Sequence, residues 1–290
     1  MPNEEERQYL NLIKECIENG KRQNDRTGTG TLALFGRSMR YSLENGRFPL
    51  LTTKNVPFRI IAEELLFFIR SQTDNKILKA KNIHIWDGNS TKEYFQRSGI
   101  NREEDDLGPV YGFQWRHYGA EYKTCMDSYE GQGIDQLQQV IDTLKNNPTS
   151  RRMIVVAWNP IQLNEMALPP CHCMFHFLAA EGKLTCILYQ RSGDMGLGIP
   201  FNIASYSLLA VIVARLTGLE PHEFVHFIGD THVYLDHVEP LKVQLEREPR
   251  EFPTLRLAEK EYKKIEDFQV EDFIIEGYNP YPKIQMKMSA

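Results

Sequence analysis

The stretch Pro169-Pro170-Cys171-His172-Cys173 and its return, Gln190-Arg191-Ser192-Gly193-Asp194, decide how this chain is arranged. Residues 171–179 and 184–191 are apolar and rich in residues that favour strands. Glu181-Gly182 lies between them as a tight-turn signal, which predicts a β-hairpin.

The register of this hairpin brings a cation close to a cysteine. A two-residue turn sets Cys171 opposite Ser192 and His172 opposite Arg191, and a β-bulge would shift the pairing by one residue. In either register a guanidinium lies within a few ångströms of the Cys171 sulfur. A positive charge at that distance favours the thiolate over the thiol, so Cys171 is predicted to be a nucleophile.

Length and composition bound the class of protein. A chain of 290 residues with 41% hydrophobic and 25% charged residues is ordinary for a globular protein, and one domain over residues 1–290 is expected. Five cysteines and an acidic N-terminus without a secretion signal favour a reducing, cytoplasmic location, with nuclear entry left open. The net charge of −5 favours neither nucleic acid nor a membrane as partner, so an anionic ligand must be held locally.

Hydrophobic periodicity predicts the helices and strands. Helices are expected over 5–19, 58–70 and 134–144, and the apolar run 203–216, too short for a bilayer, is expected to be a buried helix ended by Gly218. Strands are expected over 31–42, 152–158, 171–179, 184–191, 223–228 and the alternation of Ile284, Met286 and Met288. These elements lack a regular βαβ order, so we predict an α+β fold, a single domain with a large mixed β-sheet flanked by helices.

Two motifs that point to other functions are rejected. Gly28–Ala33 has the spacing of a dinucleotide-binding loop, but it follows a predicted helix and opens a strand, the reverse of what that loop requires. Pro170–Cys173 is one residue short of the zinc deaminase spacing, and His237-Val238-Glu239 follows the cysteines instead of preceding them. Alternate side chains of a strand face opposite ways, so no metal site is expected.

Polar residues in apolar surroundings suggest a site. Glu63 and Glu64 stand in a largely apolar predicted helix; Glu63 is expected to face solvent and Glu64 to transfer protons. Asn202 carries an acceptor and two donors in one plane, the pattern of a uracil-type edge. His232 and Tyr234 share one face of an extended segment and are candidates to bind sugar hydroxyls.

Arginines and aromatic clusters leave two interpretations open. The segments 85–87 and 111–116 serve either as core packing or as a flat platform for a ring. Arginines beside turns or strand ends either bind phosphate bidentately or form surface ion pairs. These arginines are Arg26, Arg151, Arg152 and Arg191.

Together these motifs resemble the monofunctional, eukaryotic-type thymidylate synthase family over the whole chain. The resemblance rests on residues 25–30, 63–66, 169–172, 189–194 and 276–280. It implies reductive methylation of dUMP to dTMP, with 5,10-methylenetetrahydrofolate giving the carbon and the hydride and the thiolate of Cys171 adding to carbon 6 of uracil. It also implies a homodimer formed through a sheet face, with Arg151 and Arg152 reaching the partner's phosphate site.

The resemblance further implies roles for individual residues. Catalytic roles fall to Cys171, Glu64, Tyr111, Asn202 and Arg191. Binding of dUMP falls to Arg26, Arg151, Arg152, Arg191, Ser192, Asn202, His232 and Tyr234. Binding of the folate falls to Lys54, Ile85, Trp86, Asp194, Phe201, Met288 and Ala290.

Three other functions are compared with the same residues. A deoxycytidylate hydroxymethylase shares the thiolate and the folate but resembles an Asp in place of Asn202, so Asn202 favours uracil. Binding of single-stranded RNA is disfavoured as the main function by the acidic net charge. A papain-like hydrolase would use Cys171 with a distant histidine.

Overall fold

A six-stranded mixed β-sheet, with helices packed on it, forms the centre of the computed structural model, which describes residues 3–25 and 27–288. Its strands are β1 (Lys21–Gln23), β2 (Thr31–Ser42), β3 (Ile154–Val156), β4 (His172–Ala180), β5 (Lys183–Asp194) and β6 (Glu220–Tyr234). They lie in the order β1-β2-β6-β5-β4-β3, with β5 and β6 parallel and the other neighbours antiparallel. A separate pair is β7 (Thr254–Leu257) and β8 (Phe273–Glu276). The predicted α+β class with a large mixed sheet is confirmed.

The helices flank this sheet. They are α1 (Glu4–Asn19), α2 (Phe58–Ile69), α3 (Lys76–Lys79), α4 (Lys92–Ser98), α5 (Tyr111–His117), α6 (Gln136–Asn146), α7 (Gly198–Thr217) and α8 (Val238–Leu245). Helix α1 begins where the Asn3 side chain accepts from the backbone N–H of Glu6, and α7 ends at Gly218, whose φ of 71° is left-handed and suits glycine. The four helices predicted from periodicity are all present.

Helix α7 is the core helix of the fold. By length and composition it could cross a membrane, but 67% of its most apolar window is buried inside the protein. It begins earlier than the predicted run, at Gly198, because the Asp194 carboxylate accepts the N–H groups of Gly196 and Leu197 just before it. This start places the first turn of α7 beside the end of β5.

The β4–β5 hairpin has the predicted turn and a shifted end. Glu181 and Gly182 both have positive φ, 52° and 78°, as a two-residue hairpin turn requires. Pairing follows the predicted register from the turn to Met174, and a bulge then shifts it. His172 therefore pairs with Gln190 and not with Arg191, which corrects the prediction; the extra bulged residue is Cys173.

The C-terminal alternation does not form a strand. Residues 277–288 carry no strand assignment, so the predicted strand over Ile284, Met286 and Met288 is wrong. A strand needs a neighbour to pair with, and this segment instead runs along a cavity, which is lined by Lys283, Ile284 and Met288.

The two faces of the sheet differ in burial. One face is buried beneath α7, with Cys186 and Leu188 of β5 fully covered. The other face exposes Met174, Tyr189 and Phe227, which are 39%, 43% and 44% exposed. Because Met174 pairs with Tyr189 and Tyr189 with Phe227, these three side chains form one apolar row across adjacent strands.

Candidate active site

A cavity of about 490 Å³ opens at one end of the sheet, between β4, β5, β6, the start of α7 and the C-terminal segment. It brings together most of the residues predicted from the sequence. These are Lys54, Glu64, Ile85, Trp86, Tyr111, Cys171, Ser192, Asp194, Phe201, Asn202, His232, Tyr234 and Met288.

Cys171 lies at the wall of this cavity with a cation beside it. Arg191 Nη2 is 3.8 Å from Cys171 Sγ, and the backbone N–H of Arg191 donates to the Cys171 carbonyl at 2.8 Å. Arg191 Nε and Nη2 also donate to the carbonyls of Pro170 and Pro169 at 2.8 and 2.9 Å. These bonds fix the guanidinium, so the positive charge that stabilises a thiolate is held in place.

Tyr111 connects helix α5 to the cysteine. Its hydroxyl accepts the backbone N–H of Cys171 at 2.9 Å, and its ring stacks on His172 with centroids 3.9 Å apart. Burial raises the pKa of Tyr111 well above its ordinary value, and burial lowers the pKa of His172 to about 3. Both rings are therefore neutral at physiological pH.

Glu64 is a titratable group in an apolar wall. Trp86 Nε1 donates to Glu64 Oε1 at 2.8 Å. Burial raises the pKa of Glu64 to about 7, against the lowering effect of the Trp86 hydrogen bond. A carboxyl that titrates near neutral pH is suited to both giving and taking a proton.

Glu63 does not face solvent as predicted. Its side chain is buried, and Lys81 Nζ donates to Glu63 Oε2 at 2.6 Å. A buried carboxylate requires such a partner, and the lysine that supplies it lies beyond the helix, where sequence periodicity gave no signal.

A polar network behind Asn202 sets the direction of its amide. Gln190 Nε2 donates to Ser192 O at 2.9 Å and to Asn202 Oδ1 at 3.0 Å, and Gln190 Oε1 lies 2.9 Å from His226 Nε2. A backbone carbonyl can only accept, so Gln190 cannot turn over, and Asn202 directs its NH₂ group away from Gln190. Burial lowers the pKa of His226 to about 3, so a neutral imidazole donates to Gln190.

Sequence reasoning missed Gln190 and His226. Alternate residues of a strand share a face, so the sequence alone could have placed Gln190 on the same face as Ser192 and Asp194. His226 lies on β6, whose register against β5 the sequence did not fix.

One part of the cavity wall is mostly apolar. Ile85, Trp86, Phe201 and Met288 line it, and such a wall fits the face of a planar ring. Lys54 donates from Nζ to the Gly196 carbonyl, and burial lowers the pKa of Lys54 to about 8 although nearby Asp194 opposes this. The mixture of a flat apolar wall and a few polar groups suits a pteridine-type ligand.

His232 and Tyr234 share one face of β6, as predicted. Their rings meet edge to face with centroids 5.3 Å apart, and His232 Nδ1 lies 3.2 Å from Asp230 Oδ1. Both line the cavity, and His232 pairs with Asp194 of the neighbouring strand β5.

The predicted arginines divide into three cases. Arg191 touches Cys171 and also lines a neighbouring cleft together with Thr27. Arg151 and Arg152 are exposed just before β3 and do not line the cavity. Arg26 lies outside the described residues, as does Ala290 at the C-terminus.

Metal ligands are not grouped in the part of the chain that the structure describes. Among residues 3–25 and 27–288, no three His, Cys, Asp or Glu side chains are placed to hold a metal ion. The described site offers a cysteine, a carboxyl and oriented amides.

The fold and the site define an α+β protein whose cavity holds a cysteine beside a fixed guanidinium, an arrangement that suits nucleophilic attack by a thiolate. Residues 7–290 match the family model described as thymidylate synthase. The chain is 58% identical over 290 residues to thymidylate synthase 1/2 of Encephalitozoon cuniculi (strain GB-M1), covering 100% of this chain and 99% of that protein. It is 56% identical over 286 residues to human thymidylate synthase, covering 98% and 91%.

A longer relative matches over one part. The chain is 54% identical over 287 residues to the bifunctional dihydrofolate reductase-thymidylate synthase of Paramecium tetraurelia, covering 99% of this chain and 62% of that protein. The chain belongs to the thymidylate synthase family. It is a methyltransferase that converts dUMP to dTMP with 5,10-methylenetetrahydrofolate as co-substrate.

Proposed function

We propose that Cys171 carries out the covalent step of this reaction. Its sulfur adds to carbon 6 of the uracil of dUMP, forming a C–S bond, and the electron pair of the ring double bond makes carbon 5 nucleophilic. The observation that supports this most directly is the fixed guanidinium 3.8 Å from Cys171 Sγ at the wall of the cavity.

The surrounding residues bind the uracil ring, transfer protons and position Cys171. Asn202 donates from its NH₂ group to the carbonyl oxygen at uracil carbon 4, where charge develops. Glu64, with a pKa of about 7, gives and takes protons near the base, and Tyr111 holds the backbone at Cys171. The folate supplies the one-carbon unit and the hydride.

The binding roles are those that the resemblance to the family implies. Arg26, Arg191 and Ser192 bind the phosphate, and His232 and Tyr234 bind the ribose. Asp194 contacts the pterin, and Lys54 meets the glutamate tail. The flat walls are formed by Ile85, Trp86, Phe201 and Met288, and Ala290, which lies outside the described residues, is a further folate-binding residue.

The test of this function is an absorbance assay. Protein mixed with dUMP and 5,10-methylenetetrahydrofolate should produce dihydrofolate at a rate proportional to enzyme. Cys171→Ala should abolish turnover and keep dUMP affinity within a few fold, whereas Cys173→Ala, two residues along, should remain active. Turnover by Cys171→Ala near that of the wild type would remove the nucleophile assignment.

We also propose a homodimer formed through the exposed sheet face. The row of Met174, Tyr189 and Phe227 is the kind of contiguous apolar surface that is covered by a partner. Arg151 and Arg152 are exposed at the β3 edge of the same sheet, and reach the phosphate site of the other subunit.

Mixing inactive variants tests the shared site. Arg152→Ala and Cys171→Ala subunits, each inactive alone, should recover about a quarter of wild-type activity when mixed in equal amounts and allowed to exchange, because half of the dimers are mixed and each has one intact site. Recovery of no activity, with exchange verified by mass, would rule out the cross-subunit contact. We further propose a cytoplasmic location, which imaging of a tagged chain tests.

A further inference from the structure

His237 is a buried histidine between two parts of the folate side of the cavity. It lies in the short 3₁₀ turn Leu235–His237 after β6, and its side chain is 1% exposed. The Nε2 atom donates to the Lys287 carbonyl at 2.7 Å, next to Met288 in the cavity wall. The ring is thus attached to the C-terminal segment.

The opposite edge of the same ring faces Asp194. Nδ1 lies 3.8 Å from Asp194 Oδ1 and has no hydrogen-bond partner among the described residues. Gly196 lies against this edge, and a Cβ at Gly196 would come within 2.5 Å of Nδ1. The loop that carries the Asp194 carboxylate is therefore shaped around the imidazole, since only glycine leaves room for it.

We propose that His237 is a positioning residue that ties the C-terminal segment to Asp194 and so builds the folate side of the site. This inference rests on the proposed role of that site. A carbonyl can only accept, so Nε2 carries a hydrogen, and a second proton on Nδ1 turns repulsion between a lone pair and the Asp194 carboxylate into attraction. The protonated imidazole holds both parts together.

The charges around the ring favour the proton. Burial acts against the proton, but the nearby Asp194 carboxylate, the hydrogen bond to the Lys287 carbonyl and the charge of Asp236 raise the pKa of His237 above its ordinary value. The charged and titratable groups that face this arrangement from the neighbouring elements are Asp194, Asp236, His232, Tyr234, Lys54 and Tyr9. The attachment should therefore weaken as pH rises and the imidazole loses its second proton.

Two substitutions of similar length separate the parts of this proposal. His237→Gln keeps an N–H donor near the position of Nε2 but cannot become charged, and His237→Met removes the donor. His222→Met, at a half-buried histidine beside Glu44 at the far end of β6, serves as the control. The three variants are compared with the wild type in folate KM and dUMP affinity. They are also compared in the rate at which a carboxypeptidase trims the C-terminus of the ligand-free protein, measured by mass spectrometry.

His237→Met should be trimmed about tenfold faster and have a folate KM about tenfold higher, with dUMP affinity within twofold. His237→Gln should be trimmed about as slowly as the wild type, but its folate KM should lack the rise with pH that we expect of the wild type. Trimming and folate KM of His237→Met equal to those of the wild type, or a wild-type pH profile in His237→Gln, would overturn the proposal. If the wild-type protein forms no dihydrofolate, the proposed function is refuted instead. The trimming rates would still test the attachment of the C-terminal segment to His237.

Discussion

Replacing Glu64 by glutamine should make the protein more stable and inactive. The amide is similar in size to the carboxyl and keeps an acceptor for Trp86 Nε1, but it cannot become charged. Burial raises the Glu64 pKa from 4.5 to about 7, so the folded protein pays for ionising this group at neutral pH. The site therefore holds a carboxyl that costs stability and that we propose transfers protons.

The magnitude follows from linkage. The folded state binds a proton at Glu64 more tightly than the unfolded state, so the contribution of neutral Glu64 is present at low pH and is lost as pH rises through about 7. For these two pKa values the loss between pH 5 and pH 8 is about 2.5 kcal/mol. Glu64→Gln does not suffer this loss.

The assay is urea unfolding at pH 5 and pH 8 at one fixed protomer concentration, because dimerisation would couple stability to concentration. The free energy of unfolding of Glu64→Gln minus that of the wild type should rise by about 2.5 kcal/mol between the two pH values. Turnover should fall by about 10² to 10⁴.

The neighbouring carboxylate is the matched control. Glu63→Gln breaks the ion pair with Lys81, so it should lower stability at pH 8 and retain turnover. A stability difference between Glu64→Gln and the wild type that is the same at both pH values would refute the assignment of Glu64 as a carboxyl titrating near 7.

The remaining predictions concern the same cavity. Trp86→Phe removes the hydrogen bond that lowers the Glu64 pKa, so the inflection in the pH profile of turnover should move up by about one unit or more, whereas Trp115→Phe, another buried indole, should leave it in place. Asn202→Asp keeps an acceptor for Gln190 and loses the NH₂ donor, so the ratio of kcat/KM for dUMP to that for dCMP should fall at least about tenfold; an unchanged ratio would contradict the proposed base contact.

Much of the fold could be predicted because its signals are local. The four predicted helices have apolar periodicity, and Glu181-Gly182 set the hairpin register as far as Met174. The bulge at Cys173 could not be located from the sequence, because no residue type in this stretch marks which position is left unpaired. The alternation at the C-terminus looked like a strand, but pairing depends on a neighbour that the sequence does not reveal.

The residues that orient the site were predicted less completely than the residues that line it. Residues with distinctive chemistry, such as Cys171 and Asn202, stood out in the sequence and line one cavity. The partners that orient them were missed, because the bonds of Gln190 to Asn202 and His226 join separate elements. The burial of Glu63 was missed for the same reason, since Lys81 lies beyond the helix end.

The central claim is that the sulfur of Cys171 bonds to carbon 6 of the pyrimidine. Intact-mass spectrometry after incubation with 5-fluoro-dUMP and 5,10-methylenetetrahydrofolate tests it most directly, with peptide mapping to locate the added mass. We expect one adduct per chain on the peptide that contains Cys171, and none in Cys171→Ala. An unmodified chain, or an adduct on another cysteine, would contradict it.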